Sequence, residues 1–139
     1  MRALVIDSSV IVKWLNQKDE EDLDKADLIL QDTRVGKAEL IAPELAKYEV
    51  GNVLLKGKQL TPQEADVYLK TMYTIPITFI IDSGDLSRET YLFAYKHGIT
   101  YYDASFLSLA KLYNATLVTA NIKHQGKAKD IDVLSLKDY

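Results

Sequence analysis

Short apolar runs rich in β-branched residues punctuate the chain, and each stops at or just before a polar residue. Ala3-Leu4-Val5-Ile6 ends at Asp7, Ile77-Thr78-Phe79-Ile80-Ile81 at Asp82, and Thr116-Leu117-Val118-Thr119 two residues before Asn121. Runs this short suit strands, and little polar alternation is what a strand buried on both faces requires. Glu39-Leu40-Ile41-Ala42 reads as a brief strand at best, and Ile131-Asp132-Val133-Leu134 as a last one.

Helical segments fill the intervals. Ser8 or Ser9 can cap a helix to about Asn16, and the acidic stretch that follows is expected to continue as a solvent-facing helix with Leu23, Ala26 and Leu30 at helical spacing. Pro43 suits the first turn of the next helix. Thr61-Pro62-Gln63-Glu64 combines an N-cap, a proline at the first helical position and a glutamate at the capping-box position. Asp82-Ser83 or Asp85 opens a helix that Gly98 closes, and Tyr102-Asp103 precedes another through about Tyr113. Strands alternating with helices predict an α/β domain with a parallel sheet covered on both faces. No repeat, low-complexity tract or linker divides residues 1–139, and that length suits one domain.

Composition narrows the chemistry. The absence of Cys excludes disulfides, thiolate zinc sites and a Cys nucleophile, which fits a cytoplasmic setting, and two His are too few for a His-rich metal cluster. No run approaches the ~18–20 apolar residues of a membrane span, and the first apolar run is too short for a signal peptide, so a soluble protein without membrane contact is expected. The net charge of −3 argues against a broad basic nucleic-acid surface, yet six acids and one base crowd into residues 19–27. The segment Asn121 to Lys129 carries three Lys and no acid, so Lys123, His124 and Lys127 are candidates to meet a phosphate backbone, with a solvated loop as the plainer reading. Lys13 and Lys56 are weaker candidates of the same kind.

In parallel sheets functional groups gather beyond the carboxyl ends of the strands. Asp7, Asp103 and Asn121 occupy such places. Glu49 falls inside the apolar arc that Leu45, Ala46, Val50 and Val53 make on a helix. A carboxylate there needs a cation or strong donors, because burying it alone costs several kcal/mol. If Asp7 and Asp103 converge on it, the repulsion calls for a metal, and an all-oxygen donor set selects Mg²⁺ or Mn²⁺. Asp7 and Asp103 each have a plainer reading as helix caps, as do Asp82 and Asp85, and Glu49 one as a salt-bridged or snorkelling side chain.

The segments Val5-Ile6-Asp7-Ser8-Ser9-Val10, Pro43 to Asn52, Thr100 to Ala110 and Leu117-Val118-Thr119-Ala120-Asn121 together resemble PIN domains, most closely the VapC toxins of VapBC toxin–antitoxin pairs. The resemblance spans nearly the whole chain and implies an α/β/α sandwich and a Mg²⁺- or Mn²⁺-dependent endoribonuclease in which cation-activated water attacks phosphorus. It assigns Asp7, Glu49 and Asp103 to the acidic metal site. Ser9 and Thr119 become hydroxyls that orient a carboxylate or water, although a cap and an ordinary strand residue explain them equally well. Asn121 stands where many members carry Asp, so its amide oxygen would act as a weaker or water-mediated ligand and a second cation would be held less firmly. A homodimer and a VapB-type antitoxin are the implied partners, and Trp14, Tyr68, Met72 and Tyr73 are candidates for either an interface or the core. The neutral Asn121 keeps open a non-catalytic PIN-like RNA- or partner-binding domain. A receiver-type phosphorylation switch would need paired acids after the first strand, where this chain has Asp7-Ser8-Ser9, and Gly57-Lys58 lacks the rest of a P-loop.

Overall fold

The structure, a computed structural model, describes residues 1–122 and 129–139. Arg2–Ile6 forms β1, whose last three residues are buried, and Asp7 caps α1 (Ser8–Leu15) by accepting the Ser9 N–H. After α2 (Leu23–Arg34), β2 (Ala38–Pro43) runs parallel to β1. Next come α3 (Leu45–Asn52), a π-helical turn over Val53–Gly57 and α4 (Pro62–Met72). Then follow β3 (Ile77–Ile80), α5 (Gly84–His97), α6 (Tyr101–Leu112), β4 (Thr116–Thr119) and β5 (Val133–Ser135).

The sheet order is β3-β2-β1-β4-β5, and every pair in it is parallel. The chain steps outward from β1 to β2 to β3, then crosses back through α5 and α6 to β4 on the far side of β1. Because parallel crossovers are right-handed, the reversal of direction puts α5 and α6 on the opposite face from the earlier helices. The result is the expected three-layer α/β/α sandwich. It also makes the boundary between β1 and β4 a topological switch point, where adjacent loops diverge and leave a crevice. The core fills both interlayer spaces: Leu4, Ile6, Ile11, Leu40, Phe106, Leu107 and Leu117 are fully buried. Among the described residues no helix is long and apolar enough to cross a membrane.

Several local expectations change. Glu39–Ala42 is not a marginal strand but the middle of six-residue β2, and Pro43 closes that strand rather than opening a helix. The proline tolerates the place because it ends a strand instead of interrupting one. The acidic stretch does not run on as one helix. Asp19 and Asp22 adopt positive φ, which breaks it, and the segment is pinned from below by two buried lysines. Lys13 binds Glu20 at 3.0 Å and the Glu21 carbonyl at 2.7 Å, and Lys58 binds the other Glu20 oxygen at 2.6 Å. Lys13 is therefore a structural clamp and not a surface group for RNA. Met72 belongs to the buried core, Trp14 and Tyr68 are partly buried and pack against it, with the Trp14 indole donating to the Ala26 carbonyl at 2.8 Å, and Tyr73 is exposed.

Candidate active site

Asp7 leaves β1 at the switch point, and its backbone N–H donates to the Val118 carbonyl of β4 at 3.0 Å. The residue is only 9% exposed. Three protein donors meet on Oδ2: the Ser9 hydroxyl at 2.5 Å, the Ser9 N–H at 3.4 Å and the Thr119 hydroxyl at 3.0 Å. Those hydroxyls are held in turn, since the Ala120 N–H donates to Ser9 Oγ and the Asn121 N–H to Thr119 Oγ1, both at 3.1 Å. The ends of β1 and β4 are thus tied through one carboxylate oxygen. None of the described hydrogen bonds goes to Oδ1. Burial pushes the Asp7 carboxyl up, these donors only partly offset it, and the Asp103 charge adds to the rise.

Glu49 lies on α3, half-buried, and accepts the Ser8 hydroxyl at 3.2 Å. Its carboxyl is pushed up to about 7, first by burial and then by the charges of Asp7 and Asp103, with the Ser8 bond working the other way. Asp103 is the third residue of α6 and half-buried. It is not the helix cap that its position suggested. Thr100 caps α6 and accepts the Asp103 N–H at 3.0 Å, leaving the Asp103 carboxylate in the first turn, where helix N-termini favour negative charge. Asn121 follows β4 and is exposed. Lys123, His124 and Lys127 lie outside the described residues. Ser8 is a participant that sequence reasoning missed, and the only signal for it was a second hydroxyl directly after Asp7.

The structure brings Asp7, Glu49 and Asp103 within mutual electrostatic reach, with no basic side chain among the groups that set the acidities of Asp7 and Glu49. Among the described residues no three acidic or His side chains stand together as a ready ligand group for a metal ion. In chemistry and charge the donors nevertheless fit a hard divalent cation: they are oxygens, they are anionic, and burial together with the neighbouring charges raises Glu49 toward neutrality.

A sheet of this order with acids at its switch point defines a class, and the chain belongs to the PIN domain family, whose model matches residues 4–130. Among its relatives, Ribonuclease VapC3 of Pyrobaculum aerophilum is 30% identical over 122 residues, covering 84% of this chain and 87% of that protein. A crystal structure of a Pyrobaculum aerophilum protein shares the fold with a TM-score of 0.70 and 23% identity, covering 98% of this chain and 90% of that one. VapBC2 of Rickettsia felis, solved with a DNA fragment from its promoter, shares the fold with a TM-score of 0.66 and 14% identity, covering 96% and 98%.

Proposed function

We propose that this chain, as one PIN-like domain over residues 1–139, is a Mg²⁺- or Mn²⁺-dependent endoribonuclease and the toxin of a cytoplasmic toxin–antitoxin pair. The observation that supports this reading is the burial of Asp7 and Glu49 near the switch point within electrostatic reach of each other and of Asp103. The 30% identity to a protein named as a ribonuclease supports the same activity.

Asp7, Glu49 and Asp103 would hold the cation, with the Asn121 amide oxygen as a weaker or water-mediated ligand. Such a cation, when bound, supplies Lewis acidity that lowers the pKa of water and offsets charge on the phosphate. The protein's own part is placement. Ser9 and Thr119 fix Oδ2 of Asp7 and so orient its Oδ1, and Ser8 holds Glu49. Lys123, His124 and Lys127 would meet the RNA backbone and make binding salt-sensitive. The fold shared with VapBC2 supports a VapB-type antitoxin as protein partner. A homodimer would cover the exposed Tyr91, Leu92 and Tyr95 of α5.

Cleavage of structured RNAs in Mg²⁺, Mn²⁺ or EDTA tests the reading. Cutting is expected with either cation and none in EDTA. RNA that is bound but never cut would overturn the enzyme and favour the alternative that the neutral Asn121 suggests, a non-catalytic PIN-like RNA- or partner-binding domain.

A further inference from the structure

We propose that a small slot beside the carboxylates takes one unpaired nucleobase of the RNA strand, with Tyr102 as its stacking surface. This rests on the ribonuclease reading and adds a base-recognition subsite to it. The slot is a cavity of about 210 Å³ at the carboxyl ends of β2 and β3, lined by Leu45, Ile80, Leu86, Tyr101, Tyr102 and Asp82 among others.

Size, position and chemistry select the occupant. Pockets for drug-sized ligands run to roughly 300–1,000 Å³, so this one suits a single flat ring system. Tyr102 directly precedes Asp103, and Leu45 lies one helical turn before Glu49 on the same side of α3. The slot therefore shares both helices with the carboxylate site, and a base within it would belong to a nucleotide close to a phosphate at the acids. Its lining is largely apolar, yet Tyr102 as a residue is 61% exposed and so open to a ligand. Base stacking on an aromatic ring is tolerant of sequence and strong enough to position a strand.

The charged groups of the slot exclude the phosphate itself. They are the carboxylates Asp82 and Glu44, which repel a phosphodiester. Glu44 is engaged by Lys47 at 2.8 Å and Asp82 Oδ1 accepts the Ser83 N–H at 2.9 Å, so Oδ2 of Asp82 is the carboxylate oxygen left to read a ligand, and the pull on a cationic peptide side chain is reduced. A carboxylate accepts from the exocyclic amino groups of cytosine, adenine and guanine, whereas uracil offers only its ring N3–H in a different place.

Fluorescence anisotropy with labelled eight-nucleotide RNA homopolymers, in EDTA so that nothing is cut, tests the slot. Tyr102→Ala should weaken binding about tenfold or more, the loss of one stacked base, while Tyr102→Phe keeps wild-type affinity. Tyr113→Ala, which removes an exposed tyrosine at the other end of α6, should change nothing. Asp82→Asn should narrow the preference for oligocytidine over oligouridine. Wild-type affinity in Tyr102→Ala overturns the proposal and leaves the slot to a peptide side chain. A wild-type protein that binds these RNAs through Tyr102 but never cuts with Mn²⁺ contradicts the ribonuclease reading and sustains the slot. Cutting by wild type with unchanged Tyr102→Ala binding contradicts the slot alone, and a wild-type protein that neither binds any oligonucleotide in EDTA nor cuts RNA with Mn²⁺ overturns both.

Discussion

At Glu49 burial and the charges of Asp7 and Asp103 act in one direction, raising the carboxyl from its ordinary 4.5 to about 7. The native state then keeps a proton that the unfolded chain has released, so stability contributed by this group is full below about pH 4.5 and is lost as pH rises toward 7. The raised Asp7 carboxyl adds the same sign. In chelator-treated protein the melting temperature should therefore fall between about pH 5 and 7.5, by an amount worth about 1–2 kcal/mol after allowance for solvent around Glu49. Glu49→Gln should flatten the profile, and Mn²⁺ should raise the melting temperature of wild type most at the upper end. A wild-type profile that rises over that range contradicts the assigned electrostatics. Asn121 is the other informative residue, since it offers an oxygen without a charge. Asn121→Asp should tighten Mn²⁺ binding about tenfold or more in a calorimetric titration, because one extra carboxylate near a cation is worth up to several kcal/mol. Equal affinities would place Asn121 away from the ion.

Among the elements, those with two independent signals were the legible ones. Thr61 and Glu64 form both arms of the capping box, and Ser83 and Gly98 bound α5 as their side-chain chemistry and backbone freedom suggest. Where two neighbouring residues could serve the same end, the sequence did not choose. Thr100, not Asp103, caps α6, and that choice keeps the carboxylate available to the site. Ser9 and Thr119 were legible as hydroxyls at the right intervals, but their convergence on one oxygen of Asp7 is a product of β1 pairing with β4 across the chain. Other features had no local signal at all: the π-helical turn over Val53–Gly57, and the ion triad that joins Lys13, Glu20 and Lys58 from three segments. Burial pushes the Glu20 carboxyl up, but Lys58 and Lys13 outweigh it and hold it below its ordinary range. Glu20→Gln leaves two lysines, each with only 6–7% of its side chain or residue surface exposed, short of a counter-charge, and should cost about 2–4 kcal/mol in denaturant unfolding. The Glu20 share of stability is present above about pH 4.5 and lost as pH falls through its lowered native value. An unchanged unfolding midpoint in Glu20→Gln would make the triad a surface arrangement.

Over the whole molecule, strand order explains how residues so far apart in sequence come within electrostatic reach of one another. The steps from β1 through β2 to β3 place α3, and with it Glu49, on one face, and the return through α6 brings Asp103 to the other. Both reach the crevice at the end of β1, where Asp7 stands. The same crossover leaves α5 on the outside with Tyr91, Leu92 and Tyr95 exposed within little more than one turn. Clustered exposed aromatic and aliphatic side chains of this kind mark association surfaces. Sedimentation should show a dimer that Leu92→Glu converts to a monomer with unchanged circular dichroism, whereas a dimer indifferent to that change would move the interface elsewhere.

The central claim is that Asp7, Glu49 and Asp103 make one divalent-cation site. Titration of Mn²⁺ into wild type, Asp7→Asn and Asp103→Asn, followed by calorimetry at neutral pH, tests it most directly. One well-defined site in wild type, weakened at least tenfold in both folded variants, is the predicted result; Mn²⁺ binding that is the same in all three proteins would contradict it.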